Sequence, residues 1–216
     1  ISHQLKTPLA ALKMYNEIIY TDRTNESVIV KFCDKTASEI ERIEEFIQTL
    51  LKLAKLDTGT IRLDKKQENL SALLQDVAER FETRAEREHK TIDLSGDASI
   101  MLYCDALWLS EALGNIVKNA LEHTEENGRV EIKWESTPLM ISIVIRDDGK
   151  GIHPEDIHNI FKRFYRSRFS QDTQGIGLGL PLAKAITEAH GGTISVKSIP
   201  GRGSVFSIDF FNLTKV

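Results

Sequence analysis

The chain has 216 residues, 41% of them hydrophobic, and a formal net charge of -4. This length is enough for one large domain or two small ones with an ordinary core. No run of about 18 apolar residues is present to cross a bilayer. The sequence contains no concentrated run of lysine and arginine, so its charge gives no reason to expect nucleic-acid binding. Cys33 and Cys104 are not spaced as metal ligands. We therefore expect both to act as small apolar residues in a reducing compartment rather than to form a disulfide.

The first nine residues place a histidine on a helix that contains a proline. His3 and Thr7 are four residues apart and therefore share one helical face. Pro8 removes a backbone donor and crowds the carbonyl of Gln4, which bends the helix next to His3. This pattern indicates a phosphate acceptor, although a solvated surface histidine is the more ordinary interpretation of these residues alone.

The apolar residues of the first 57 positions form two helical stripes. Between Ile40 and Ala54 they recur at alternating spacings of three and four, and a second stripe runs from Leu5 to Ile19. The polar segment from Thr21 to Ser27 can reverse the chain. We therefore predict a helical hairpin that begins upstream of residue 1. Because one hairpin cannot bury both stripes, we expect two copies to form a four-helix bundle.

The turn-forming residues from Leu56 to Thr60 predict an interdomain hinge, with domains at residues 1–60 and 61–216. Beyond it, the periodicity predicts helices at 72–87, capped by Ser71, and at 106–123 and 181–190, with strands at 91–94, 100–103, 129–135, 139–146, 193–197 and 205–210. This order predicts an α+β chain whose second domain is a two-layer α/β sandwich, with helices against one face of a mixed sheet.

Two asparagines and an aspartate are candidates for ligand binding in the second domain. Asn115 and Asn119 lie one helical turn apart, and amide oxygens on one face suit Mg²⁺ together with phosphate oxygens. Asp147 follows an apolar strand, and an ionised carboxylate there can accept a hydrogen bond from the amino group of adenine. A solvated polar helix face and a plain Asp-Gly turn are the alternatives.

A glycine-rich segment, Gly175 to Leu180, runs directly into a predicted helix. Unpaired backbone N–H groups and the positive end of the helix dipole would favour a phosphate there, whereas a flexible connector is the alternative. The spacing matches neither the P-loop nor the dinucleotide fingerprint. The preceding residues, Phe161 to Gln174, are typical of a mobile cover, in which Arg166 could meet a terminal phosphate or be simply solvated.

In this order, the segments resemble the catalytic core of the homodimeric sensor histidine kinases of bacterial two-component systems. Five stretches resemble the phosphoacceptor, asparagine, first glycine, phenylalanine and second glycine boxes, namely His3–Leu9, Asn115–Thr124, Asp147–Ile152, Phe161–Arg166 and Gly175–Leu180. The resemblance implies a dimerisation and phosphotransfer domain followed by a catalytic ATP-binding domain of the Bergerat type, which gyrase and the Hsp90 chaperones share.

The resemblance also implies roles for particular residues. His3 would accept the γ-phosphoryl group of ATP, with Gln4, Thr7 and Arg166 as the other catalytic positions, and Asn115 and Asn119 would hold Mg²⁺. The implied nucleotide contacts are Asn115, Asn119, Asp147, Gly149, Gly151, Ile152, Phe164, Gly175, Gly177, Leu178, Gly179 and Leu180.

The implied partners are a second copy of the chain and the receiver domain of a response regulator, which would take the phosphoryl group on an aspartate or be dephosphorylated. We expect no contact with nucleic acid or membrane by this segment, and a cytoplasmic location within a membrane-anchored sensor.

Two residues depart from many relatives: Gln4 cannot act as a carboxylate base, and Glu122 stands at an often basic position. The alternative functions are a conformational ATPase of the same superfamily and a silent scaffold that binds a receiver domain.

Overall fold

A computed structural model describes residues 2–167 and 176–211, and of residues 2–4 it describes the backbone alone. The chain divides into two compact units between Lys52 and Leu53. The domain boundary expected after residue 60 stays a prediction. Among the helices of the described residues, none combines the length and apolar character that a membrane span requires.

The first unit is built on the predicted helical hairpin. Helix α1 spans Ser2–Thr21 and α2 spans Glu26–Asp57, with a short turn between them. The rings of Tyr15 and Phe32 pack across the hairpin with centroids 5.6 Å apart. Seven large apolar side chains on the two helices stay exposed: Leu9, Met14, Tyr20, Val30, Ile40, Ile47 and Leu51. The hairpin therefore leaves much of its apolar surface unburied.

The second unit contains the remaining elements. They are β1 Lys66–Asn69, α3 Leu70–Arg87, β2 Thr91–Gly96, β3 Met101–Cys104, α4 Ala106–His123, β4 Arg129–Ser136, β5 Met140–Asp147, α5 Pro154–Ile157, α6 Gly179–Ala189, β6 Gly192–Ser198 and β7 Ser204–Phe211. Five strands form one sheet in the order β2-β4-β5-β7-β6. The β2–β4 pair is parallel and the other three pairs are antiparallel, which confirms the predicted mixed sheet.

The core lies between this sheet and the helices α3, α4 and α6. Alternate residues of β4, β5 and β7 are buried, as expected for strands with one covered face. Ile132 pairs with Ile145, and Ile145 pairs with Phe206, so these three form a continuous apolar row. All three are at most 1% exposed. Each such side chain stabilises the fold by about 1.5–3 kcal/mol when it leaves water.

The structure corrects the prediction at four elements. Strand β1 was not predicted, because its sequence Lys66–Asn69 is polar and shows no alternation. It pairs with β3 in a separate two-stranded ribbon. Helix α3 starts at Leu70, and its cap is Asn69, whose Oδ1 accepts from the Ala72 N–H at 2.9 Å, so Ser71 is not the cap. The short helix α5 was not predicted either, and α6 begins at Gly179 rather than Pro181.

Helix α2 ends at Asp57, within the predicted turn segment, and Gly59 follows in a left-handed conformation with φ of 63°. The residues that follow belong to the second unit and are hydrogen-bonded to the start of α4. The Asp64 N–H donates to Oδ2 of Asp105 at 2.9 Å, and the Asp105 N–H donates to Nε2 of His190 at 3.1 Å. Burial lowers the pKa of His190. The neutral ring is therefore the form that joins the start of α4 to the end of α6.

Candidate functional site

Helix α4 holds the first candidate ligand in a defined orientation. Ile116 is fully buried in the core, which turns Asn115 toward the start of α6. The Asn115 Nδ2 donates to the carbonyl oxygen of Glu111 at 2.9 Å, so its Oδ1 stays available to a ligand. Asn119 lies one turn further along the same face and is half-buried. Helix α4 thus places on one face the two amides that the sequence predicted to lie there together.

Asp147 ends β5 as a buried carboxylate that is 2% exposed. Its Oδ1 accepts two backbone N–H groups, from Gly149 at 3.0 Å and from Ser204 at 3.1 Å. Burial raises the pKa of Asp147, while the two N–H donors and the nearby His123 act in the opposite direction. Both protein hydrogen bonds engage Oδ1, so Oδ2 is the oxygen that a donor such as an adenine amino group can reach.

Gly149 and Gly151 let the segment after β5 pass close to neighbouring backbone. A Cβ on Gly149 would collide with the carbonyl of His123 at the end of α4. Gly151 has φ of 68°, and a Cβ there would collide with the carbonyl of Ile199. The close packing of the backbone therefore requires glycine at both positions, independently of any contact with a nucleotide. The neighbouring Ile152 is half-buried, and its N–H donates to Oγ of Ser198 at 2.8 Å.

The first part of the predicted cover is hydrogen-bonded to the glycine-rich segment that follows it. The N–H of Phe164, which has φ of 63°, donates to the carbonyl of Gly177 at 2.9 Å. Gly177 has φ of 74°, and a Cβ there would approach the Tyr165 carbonyl at 2.5 Å. Arg166 is exposed beside this junction. Residues 168–174 of the predicted cover, and Gly175, lie outside the described residues.

Arg163, within the predicted phenylalanine box, binds the last residue of α2. Its Nη2 lies 2.6 Å from Oδ1 of Asp57, and both side chains are partly exposed. This hydrogen-bonded ion pair lowers the pKa of the Asp57 carboxyl and raises that of Arg163. A carboxylate at a helix C-terminus is disfavoured by the helix dipole, and Arg163 offsets that cost. Sequence reasoning did not predict this pair, because its members are far apart in the chain.

The remaining predicted positions are distributed over both units. Leu178 is buried and Leu180 half-buried at the start of α6. His3, Gln4 and Thr7 lie on α1, where Thr7 is exposed and the other two side chains are outside the described residues. Their catalytic roles stay predictions.

Sequence reasoning missed the backbone partners of the predicted ligands. Ser204 and the carbonyl of Glu111 are not distinguished by residue type, since each acts through its main chain. One signal was present: Gly203, with φ of 84°, precedes β7, and a Cβ there would collide with the Asp147 carbonyl. Glycine at that position indicates close contact with the segment after β5.

The second unit is a two-layer α/β sandwich, and the residues before it form a helical hairpin. Two family models match the chain. Residues 104–215 match the histidine kinase-, DNA gyrase B- and HSP90-like ATPase family, and residues 1–59 match the His Kinase A (phospho-acceptor) domain. The chain therefore belongs to this ATPase family and is a two-component histidine kinase catalytic core. The resemblance and the fold class stated from sequence are both confirmed.

Individual proteins agree with this assignment. Sensor histidine kinase RppB from Synechocystis sp. is 34% identical over 213 residues, which cover 96% of this chain and 46% of that protein. ShkA, solved at full length in complex with AMPPNP, is 25% identical with a TM-score of 0.75, over 97% of this chain and 44% of that one. ThkA, solved in complex with response regulator protein TrrA, shares the fold with a TM-score of 0.79 at 22% identity. The match covers 97% of this chain and 59% of that one. The chain spans about half or less of the length of the curated relatives it matches.

Proposed function

We propose that this chain transfers the γ-phosphoryl group of ATP to His3, and that the group then passes to an aspartate of a response-regulator receiver domain. The observation that carries the proposal is the buried Asp147 carboxylate, whose Oδ1 accepts from Gly149 and Ser204. Such a group accepts the amino hydrogen of adenine and disfavours the keto oxygen of guanine. The match to an ATPase family that includes histidine kinases supports the same conclusion.

The residues present fit a magnesium ion. The Asn115 amide already donates through Nδ2 to Glu111, so its oxygen is the atom presented to a ligand, and Asn119 offers a second amide on the same face. We propose that these two residues hold Mg²⁺, which would offset negative charge on the phosphates when bound. Arg166 supplies a second positive group, because its guanidinium can donate to the phosphoryl oxygens.

The reaction on His3 is a displacement at phosphorus. A ring nitrogen of the neutral imidazole forms the new N–P bond, the bond from the γ-phosphorus to the bridging oxygen breaks, and ADP leaves. The imidazole proton passes to water, since Gln4 has no carboxylate to accept it. Gln4 instead orients the ring by hydrogen bonding. We assign Thr7 to the dephosphorylation of the regulator, on the resemblance alone.

We further propose residues 1–60 as the dimerisation and phosphotransfer domain and residues 61–216 as the ATP-binding domain. Homodimerisation is supported by the exposed apolar side chains of the hairpin, because a second copy would bury them. ThkA, a histidine kinase that shares the fold, is seen with a response regulator, which supports a receiver domain as partner. A membrane-anchored sensor with this cytoplasmic portion is consistent with relatives about twice as long or longer.

The test is labelling with γ-labelled ATP and Mg²⁺. We expect acid-labile, base-stable label on the full chain and none on His3→Gln. His89→Asn is the matched control, because His89 is exposed and its φ of 52° suits asparagine, so it should label normally. Label that persists in His3→Gln defeats the acceptor assignment. Hydrolysis without labelling would support a conformational ATPase, and neither activity in a dimer would support a scaffold.

A further inference from the structure

Gly179 lies directly against the amide that we assign to the metal. It is the first residue of α6, and a Cβ built on it would lie 2.9 Å from Oδ1 of Asn115 and 3.6 Å from its Cγ. The same amide is held from its other side by the hydrogen bond from Nδ2 to the Glu111 carbonyl. The oxygen therefore sits in a space that exists because residue 179 has no side chain.

Gly179 differs in this respect from the other glycines of the site that the structure describes. At Gly149, Gly151 and Gly177 the added Cβ would meet backbone carbonyls, and the last two also have positive φ. Those positions need glycine for the chain to fold as it does. At Gly179 the φ is ordinary and the nearest atoms belong to the end of the Asn115 side chain, which can rotate. A methyl group there would leave the fold intact and displace the amide.

We propose that Gly179 is a positioning residue for the metal ligand Asn115, which it serves by leaving room for Oδ1. The inference rests on the proposed function, in which that oxygen binds Mg²⁺. With alanine at 179, the amide either moves away and loses its bond to Glu111, or rotates far enough to carry Oδ1 away from the methyl group and from the cation. Both responses remove an oxygen ligand without touching the adenine contact at Asp147.

The experiment compares the binding of AMPPNP to the full chain by titration calorimetry, with Mg²⁺ and with EDTA. For Gly179→Ala we expect the Mg²⁺-dependent gain in affinity to fall by about 10–100-fold, as for other residues that orient a metal ligand, with a much smaller loss of affinity in EDTA. Gly114→Ala is the matched control. It lies next to Asn115 on α4, and its Cβ would meet the Phe81 ring at an ordinary 3.8 Å, so the gain should remain.

A double-mutant cycle shows whether the effect passes through Asn115. In the Asn115→Ala background, Gly179→Ala should cause no further loss, since the displaced group is gone. A metal-free readout is a crystal structure of nucleotide-free Gly179→Ala, where we expect the Asn115 amide in a new position. An unmoved amide, an equal loss of affinity in EDTA, or additive effects in the cycle would overturn the inference. If instead wild type gains nothing from Mg²⁺, or Asn115→Ala is silent, the proposed metal site itself is wrong.

Discussion

Asp147 shows how one buried residue combines binding chemistry with its own support. Two backbone N–H donors on Oδ1 offset part of the cost of burying a carboxylate, and they fix its plane. The donors come from different parts of the chain, Gly149 directly after β5 and Ser204 at the start of β7. The carboxylate therefore reaches its orientation only when the β5–β7 pair has formed.

We expect Asp147→Asn to weaken ATP binding about 10- to 100-fold, because an amide that keeps its oxygen toward Gly149 and Ser204 presents an NH₂ group to the donor of adenine. Calorimetry with ATP and GTP should also show a smaller preference for ATP. Asp148→Asn is the control, since Asp148 is exposed and its Oδ1 accepts from the Arg129 N–H instead. Equal losses in the two variants would show that Asp147 has no specific contact with the base.

At the scale of elements, an ion cluster joins the C-terminal ends of α3 and α4. Glu88 accepts from Nε of Arg84 at 2.8 Å and from Nζ of Lys90 at 2.7 Å, and Lys90 also donates to the Leu121 carbonyl at 2.8 Å. Arg84 lies 3.8 Å from Glu122 as well. The acidic residue at position 122 thus has a partner on α3.

The cluster predicts a pH dependence of stability. Hydrogen bonds from Lys90 and Arg84 lower the pKa of Glu88 from 4.5 to about 2. Glu88 therefore stabilises the fold above pH 4.5, and this contribution is lost as the pH falls toward 2. We expect Glu88→Gln to lower the Tm at pH 7 by about 2 °C, corresponding to less than about 1 kcal/mol.

Thermal unfolding from pH 7 to pH 2.5 measures this effect. The difference in Tm between wild type and Glu88→Gln should shrink steadily below pH 4.5. Glu86→Gln, an exposed substitution on the same helix, controls for the loss of one negative charge. A difference that stays constant with pH would show that Glu88 contributes through packing rather than through its charge.

At the scale of the whole molecule, the hairpin leaves apolar side chains on α2 that a partner copy would cover. Ile40 and Ile47 are seven residues apart on one face and are 45% and 44% exposed.

We expect Ile47→Glu to raise the dimer dissociation constant about 100-fold, because each of two copies loses the burial of one isoleucine. Sedimentation velocity measures it. Gln48→Glu adds the same charge at the next, exposed position, and should leave the dimer intact. A dimer insensitive to both would place the interface elsewhere.

The long helices and the main strands of this chain were predictable from sequence because their signals are local. Helix α4 was predicted with its observed bounds, Ala106–His123, since its apolar period is strong and Asp105 caps it. Strand β1 was missed because its polar residues are held by pairing with β3 rather than by any pattern of their own. The spacing of Asn115 and Asn119 likewise predicted a shared face, but not the hydrogen bond from Asn115 to the Glu111 carbonyl.

The order of the motifs, the helical hairpin and the identities of the candidate ligands could be read from the amino-acid sequence, because residue type and periodicity are properties of short segments. Only the tertiary structure decided that β2 pairs with β4 in parallel, that Ser204 supports Asp147, and that Gly179 borders Asn115. These contacts join residues distant in the chain, and their geometry depends on how the buried faces of several elements pack together.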